Sequence, residues 1–258
     1  MWLGLTLRAR AGPAEAVDVA LAAEAAGFDR LYVGERHFDT GDGFANAFAV
    51  AAAISGRLRR ASIGVAPAIG MEHPLRLVEQ ANMLSILTRG RSTIVLSDAL
   101  EPRQYASFGM PVPRNGLFED LLQHLEEAWS WDFQEDGPAL EFHSGAYAAK
   151  MAGRIMPAAC PRLALETDSD VGVRDAARRG WAIHLRADTL ERARAMIATY
   201  RAALAAAGHS THMFEDGLNG VTVVLDDPSL ASVAEVEALG AAEVRVDLPL
   251  DHAIRLVG

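Results

Sequence analysis

Short apolar runs alternate with longer helix-like stretches along this chain. "WLGLTL" (2–7) reads as a strand. "PAEAVDVALAAEAAG" (13–27) reads as a helix, with Pro13 at its start and Gly27 just past its end, where each is favoured. "RLYVG" (30–34) is the next strand, alanine-rich "ANAFAVAAAISGRL" (45–58) the next helix, and "ASIGVAPAI" (61–69) the third strand. After Pro74 come the helix "LRLVEQANMLSIL" (75–87) and a fourth strand, "STIVLS" (92–97). These strands start about thirty residues apart, the spacing of repeated βα units. Further strands are predicted at 162–166, 181–185, 221–225 and 243–248, with helices near 117–131, 171–179, 188–207 and 229–239. Eight strands alternating with helices predict an α/β fold, a (β/α)8 TIM-type barrel. The rival is an open doubly wound sheet, which would want a glycine-rich phosphate turn after its first strand. "RARAGPAEA" contains no G-x-G-x-x-G.

One stretch breaks the rhythm. Residues 132–160 are too many for a simple βα connection and show no clear periodicity, so a long irregular insertion is expected there. In a barrel such insertions belong to loops, and loops at the C-terminal face build active sites. No second domain, low-complexity tract or coiled coil is evident. A single domain over residues 1–258 is expected, an ordinary size for one barrel.

Composition narrows the function classes. Half of the residues are hydrophobic, ample for a large core. Against 34 acidic residues stand 24 basic ones, a net charge of −10 with no basic cluster, which disfavours nucleic acid as a partner. The lone cysteine, Cys160, excludes an intramolecular disulfide and suggests a reducing compartment. No run of about 18 apolar residues offers a membrane span, and "WLGLTL" starts without a secretory apolar region. A soluble, cytoplasmic protein is expected.

Candidate chemistry concentrates in "LYVGERHFDT" (31–40), where Glu35, Arg36, His37 and Asp39 crowd together as the second strand gives way to a loop. In a barrel this is the catalytic face, and a carboxylate two residues from an imidazole could share work as proton donor and acceptor. A solvated turn with an incidental histidine is the alternative. His73, before a proline at a helix start, reads as a capping or packing residue. His184 and Arg186 end the sixth strand and could face a pocket or the surface. Trp129 and Trp131 belong to the core-facing side of their helix. The eight histidines show no ligand spacing, so no metal site is expected. No G-x-S-x-G elbow is present.

"GFDRLYVGERHFDTG…ANAFAVAAAIS" resembles the start of the bacterial luciferase-like flavin monooxygenase family. The resemblance continues through His73–Pro74 and Gly90–Arg91 in "HPLRLVEQANMLSILTRGR", through "YASFGMPVPRNGLFEDLLQHLEEAW", and into "LALETDS". It runs in order from about residue 2 to 187 and is loose beyond. It implies the same eight-stranded barrel, and a two-component monooxygenase. Reduced FMN would come from a separate flavin reductase and, with oxygen, oxygenate a small organic or polyketide-like substrate. A noncatalytic flavin-binding or partner subunit and a deazaflavin-dependent oxidoreductase are the alternatives. Homodimers, formed through helices near the second and third strands, are also implied.

Residue by residue, the resemblance places Glu35, Arg36 and His37 at the reacting ring, with the family's imidazole often falling where Arg36 stands. It places Ala66 and Pro67 beneath the flavin ring, and Arg114, Glu166 and Thr167 around its phosphate. Asp98 departs from the pattern. It stands near the position of a phosphate-gripping arginine, where a carboxylate repels a dianion. This departure and a short C-terminal third keep the noncatalytic alternative open.

Overall fold

The computed structural model describes residues 1–8, 12–38, 43–97, 102–110, 117–130, 139–142, 149–151, 161–210, 220–227 and 231–257. Strand and helix alternate from the start: β1 (Trp2–Leu7), α1 (Pro13–Ala25), β2 (Arg30–Gly34), α2 (Ala47–Ser55), β3 (Ser62–Ala66), α3 (Pro74–Leu87) and β4 (Ser92–Leu96). Next come α4 (Pro102–Ser107), α5 (Leu117–Ser130), β5 (Leu140–Phe142) and β6 (Ala149–Met151). The chain continues with β7 (Arg162–Thr167), α6 (Asp170–Arg179), β8 (Ala182–Arg186), α7 (Leu190–Ala206), β9 (Val221–Leu225), α8 (Val233–Ala238), β10 (Glu243–Val246) and α9 (Leu250–Val257). Strands β1, β2, β3, β4, β7, β8, β9 and β10 form a closed parallel barrel, β10 pairing back onto β1. This is the (β/α)8 architecture that the periodicity predicts.

The boundaries have local causes. The strand expected over 61–69 ends at Ala66, because Pro67 has no N–H to give a neighbouring strand. The Ala66 carbonyl instead accepts from the backbone N–H of Glu35 at 2.8 Å. Helix α2 starts late because the Asn46 side chain caps it, accepting from the Ala49 N–H at 2.9 Å. His73 caps α3 in the same way, its Nδ1 accepting from the Leu75 N–H at 3.2 Å. Trp129 of α5 donates from Nε1 to Asn82 of α3 at 2.8 Å; Trp131 lies outside the described residues. Within the insertion expected over 132–160, the described residues include β5 and β6, paired antiparallel with Leu140 opposite Met151. Three-residue strands are too short to show a period in sequence. For the same reason α4 and α9, of six and eight residues, escape a reading by periodicity.

Strand residues alternate between two environments. Leu5, Leu31, Ile63, Ile94, Ile183, Val223 and Val244 are buried in one cluster with helix residues such as Ala20, Ala51, Val78, Val173 and Ile197. At about 1.5–3 kcal/mol per fully buried aliphatic side chain, this outer layer is the main driving force for folding. The inward positions differ. Tyr32, Val95, Ala164 and Ala182 make a small separate cluster, and Arg30, Thr93, His184, Thr222, Glu243 and Arg245 are buried polar residues. Glu243 anchors the lower part: Arg30 lies 3.1 Å from it, the Tyr32 hydroxyl donates to it at 2.7 Å, and the Thr222 hydroxyl at 3.3 Å. The Tyr32 ring needs bare backbone on both sides. A Cβ at Gly64 would stand 2.2 Å from its Cδ1, and one at Gly4 would stand 3.0 Å from its Cε2 and 2.4 Å from Glu243.

Candidate active site

A cavity of about 380 Å³ opens at the carboxyl ends of the barrel strands. Its floor is Tyr32 and Arg245. Over β2, β3 and β4 the wall is made of small residues, Gly34, Ala66, Pro67 and Ser97, with Thr6 of β1 beside them. Over β7 to β10 it is charged: Glu166, Arg186, Asp226 and Asp247. Glu35, Arg36, Arg8 and Gln104 complete the rim. One half of the mouth is therefore smooth and shallow, and the other is a lattice of ion pairs.

That lattice is continuous. Glu166 receives Arg245 at 2.6 Å and Arg186 at 2.7 Å. Arg186 also donates to Asp247 at 2.6 Å and to Asp226 at 2.5 Å. Asp247 accepts from the Thr6 hydroxyl. Burial alone would raise the Glu166 carboxyl, but the guanidinium charges of Arg245 and Arg186 outweigh it and hold Glu166 below the usual carboxylate range. Asp247 is lowered against its own burial by the same two cations, helped by Thr6. Burial disfavours the Arg186 charge, yet Glu166 and Asp247 raise its pKa. Glu166, Arg186, Arg245 and Asp247, carried by β7, β8 and β10, thus form one connected ionic group whose members stay charged and oriented.

Of the residues singled out by sequence, Glu35, Arg36, Ala66, Pro67 and Glu166 line the cavity together. His37 does not. Its Nε2 lies 3.0 Å from Glu35 Oε1, its ring stands edge-on to Phe108 with centroids 5.0 Å apart, and its backbone N–H donates to Gln104 at 3.1 Å. The other Glu35 oxygen accepts from the Ala47 N–H at 3.2 Å, so this carboxylate ties the rim to the first turn of α2. Phe38 comes next with φ of 56°, a left-handed backbone. Burial, and then the nearby Glu35 charge, raise the carboxyl of Glu72.

Thr167 points away from the cavity onto the first turn of α6. Its hydroxyl accepts from the Ser169 N–H at 3.1 Å, in a space that a Cβ on Gly172 would fill at 2.2 Å. Asp168 and Asp170 flank that turn, and Arg192 of α7 lies 3.2 Å from Asp170. Asp98 and Arg114 lie outside the described residues. Arg186, left open by sequence, faces the cavity, and His184 lies buried beneath its floor. Tyr32, Arg245 and Asp247 were not singled out by sequence. Their only signal is a charged or aromatic residue at alternate positions in "RLYVG" and "EVRVDL".

Solved structures share this architecture. The chain superposes on the monooxygenase RslO1 from Streptomyces bottropensis with a TM-score of 0.75 and 17% identity, covering 99% of this chain and 96% of that one. The oxygenating constituent of 3,6-diketocamphane monooxygenase from Pseudomonas putida, a type II Baeyer-Villiger monooxygenase in complex with FMN, gives 0.69 and 17% over 88% and 67%. An F420-dependent secondary alcohol dehydrogenase in complex with an F420–acetone adduct gives 0.77 and 13% over 99% and 96%. At such identities these likenesses establish the fold. The model of one family, the luciferase-like monooxygenases, matches residues 3–249. With nearly the whole barrel matched, the chain belongs to the luciferase-like monooxygenase family.

Proposed function

We propose that the chain is an FMN-dependent monooxygenase that takes reduced FMN from a separate reductase and oxygenates a small organic substrate. The observation that carries this reading is the asymmetric mouth, where Gly34, Ala66, Pro67 and Ser97 leave a recess suited to a flat ring beside a wall of fixed charges. The family match and the FMN held by the Pseudomonas putida protein support it. When bound, reduced FMN supplies the electrons that activate oxygen. The chain's own residues do the rest. Gly34, Ala66 and Pro67 would receive the ring, above the floor formed by Tyr32. The paired charges of Glu166, Arg186 and Asp247 give the opposite wall fixed dipoles that need no reorganisation. His37 Nε2 and Glu35 Oε1 lie 3.0 Å apart at the rim, within hydrogen-bond reach of each other.

Anaerobic titration with reduced FMN and with reduced F420, followed by labelled dioxygen and candidate substrates, tests the reading. The expected result is binding of reduced FMN and transfer of label to product. Preference for F420 without label transfer would make the chain a hydride-transferring oxidoreductase. Tight oxidised flavin without turnover would make it a binding protein.

His37→Ala is expected to lower turnover by at least about tenfold, short of the roughly 10²–10⁴-fold of an acid or base in direct contact with the reacting atoms, because its imidazole meets the cavity only through Glu35; the melting temperature should be unchanged. Unchanged turnover in a folded variant removes His37 from the chemistry.

The homodimer has a suitable face. Phe48 and Ala52 of α2 with Met83 and Leu87 of α3 line a surface groove of about 500 Å³, and Met83, Ile86 and Leu87 are about half exposed. Sedimentation velocity is expected to show a dimer that Met83→Glu dissociates; a monomeric wild type removes the proposal.

A further inference from the structure

Directly beneath the cavity floor lies a histidine that does not line the cavity. His184, on β8, is 1% exposed. Its ring stands edge-on to Tyr32, with 5.3 Å between centroids, and its Nδ1 lies 3.0 Å from Nη1 of Arg245. Tyr32 and Arg245 are the two residues of the floor. A guanidinium has only donors, so Nδ1 accepts, and the single proton of the neutral ring is on Nε2. The other terminal nitrogen of Arg245 donates to Glu166 at 2.6 Å, and its guanidinium carbon lies 5.0 Å from the centre of the Tyr32 ring. The contacts run unbroken from a buried imidazole to the cavity wall.

We propose that His184 is a positioning residue of this site: as a neutral imidazole it fixes Arg245, and through Arg245 it holds Glu166 and the cavity floor in the arrangement that receives the ligand's ring. The proposal rests on reading the cavity as a flavin site. A proton on Nδ1 would turn an acceptor into a donor and set a second positive charge 3.0 Å from the guanidinium. In a buried setting that repulsion is poorly screened. Arg245 must then swing off, leaving Glu166 to Arg186 and uncovering Tyr32. The charged groups around His184 are Arg30 of β2, Arg162 and Glu166 of β7, Arg186 of β8, Glu243 and Arg245 of β10, and Asp247 just beyond it. Burial is the largest influence against protonation, followed by the charges of Arg245, Arg30 and Arg186, with Asp247 acting the other way. The balance keeps the ring neutral near neutral pH.

The probe is oxidised riboflavin, which has no phosphate to titrate, followed by quenching of its fluorescence from about pH 8 to about pH 5. Wild type is expected to hold constant affinity while the His184 ring stays neutral, and to lose about tenfold per pH unit, equivalent to about 1.4 kcal/mol, once the ring takes up a proton. His184→Asn retains an oxygen that accepts from Arg245 and takes up no proton, so its affinity should change little with pH. His184→Leu fills similar space without an acceptor and should bind about tenfold more weakly throughout. A fall that persists in His184→Asn, or a Leu variant that binds like wild type, overturns the proposal. Nitrogen NMR of the His184 ring provides the second readout. An unprotonated Nδ1 at neutral pH, protonating as the Arg245 signals shift, supports the contact, and an Nδ1–H at neutral pH overturns it. If wild type binds no riboflavin at any pH, the titration with reduced FMN decides the flavin reading, and the ring spectrum alone decides whether His184 holds Arg245.

Discussion

Glu243→Leu is expected to cost about 3–5 kcal/mol of folding stability, the range for removing one partner of a buried ion pair. Glu243 is 1% exposed and lies 3.1 Å from the guanidinium of Arg30, itself 4% exposed. The substitution leaves that cation buried beside an apolar side chain, and removes the acceptor of the Tyr32 and Thr222 hydroxyls. Chemical denaturation measures the loss. The companion variant is Arg30→Met with Glu243→Leu. Replacing both members of a buried pair by apolar residues is often neutral or stabilising, so the double variant should recover most of the loss. The two hydroxyls left unsatisfied limit that recovery to within about 1–3 kcal/mol of wild type. A single variant as stable as wild type would mean that the pair contributes nothing, and that the lower barrel is held by its outer layer alone.

Folding stability should also fall as the pH drops below about 6.5, well before ordinary carboxylates titrate. His184 is the reason. Burial, and then the charges of Arg245, Arg30 and Arg186, place its folded pKa well below 6.5. Below the unfolded pKa, the unfolded chain binds a proton that the folded chain refuses, so unfolding becomes easier as acid is added. The slope approaches about 1.4 kcal/mol per pH unit and ends once the folded pKa is reached. Glu166 and Asp247 have the opposite starting point. Their folded pKa values are lowered, so their contribution is complete above the usual carboxylate range and is lost only as the pH falls below about 4. Urea denaturation at a series of pH values should therefore show two windows of loss. His184→Asn should abolish the upper window and leave the lower one. Equal slopes for wild type and variant above about pH 5 would assign that loss elsewhere.

Much of the site's location was legible in the sequence, because strand ends in a βα repeat all face one way. Once "RLYVG" is a barrel strand, Glu35 and Arg36 must emerge at its C-terminal mouth, and both line the cavity. Ala66, Pro67 and Glu166 obey the same logic on β3 and β7. His37 and Thr167 show where that logic stops. Side chains alternate along a strand, and a left-handed turn or a helix cap redirects the residues beside it. Thr167 is one residue past Glu166 and faces α6, and His37 is one past Arg36 and is drawn to Glu35 and Phe108.

By itself the sequence determined the alternation of strand and helix, the barrel that this implies, and the end of the barrel where the cavity opens. Those features are local: each arises from periodicity, caps and breakers within a few tens of residues. What only the tertiary structure decided is the fate of the polar positions in those strands. Arg30, Tyr32, Glu166, His184, Glu243, Arg245 and Asp247 alternate with aliphatic residues, a pattern that in an open antiparallel sheet means a face turned to water. Closure of β10 onto β1 turns that face inward, so residues far apart in the chain, 211 positions in the Tyr32–Glu243 hydrogen bond, must satisfy one another without solvent. Which cation meets which carboxylate depends on barrel register, and register is a property of the closed ring of strands rather than of any one of them.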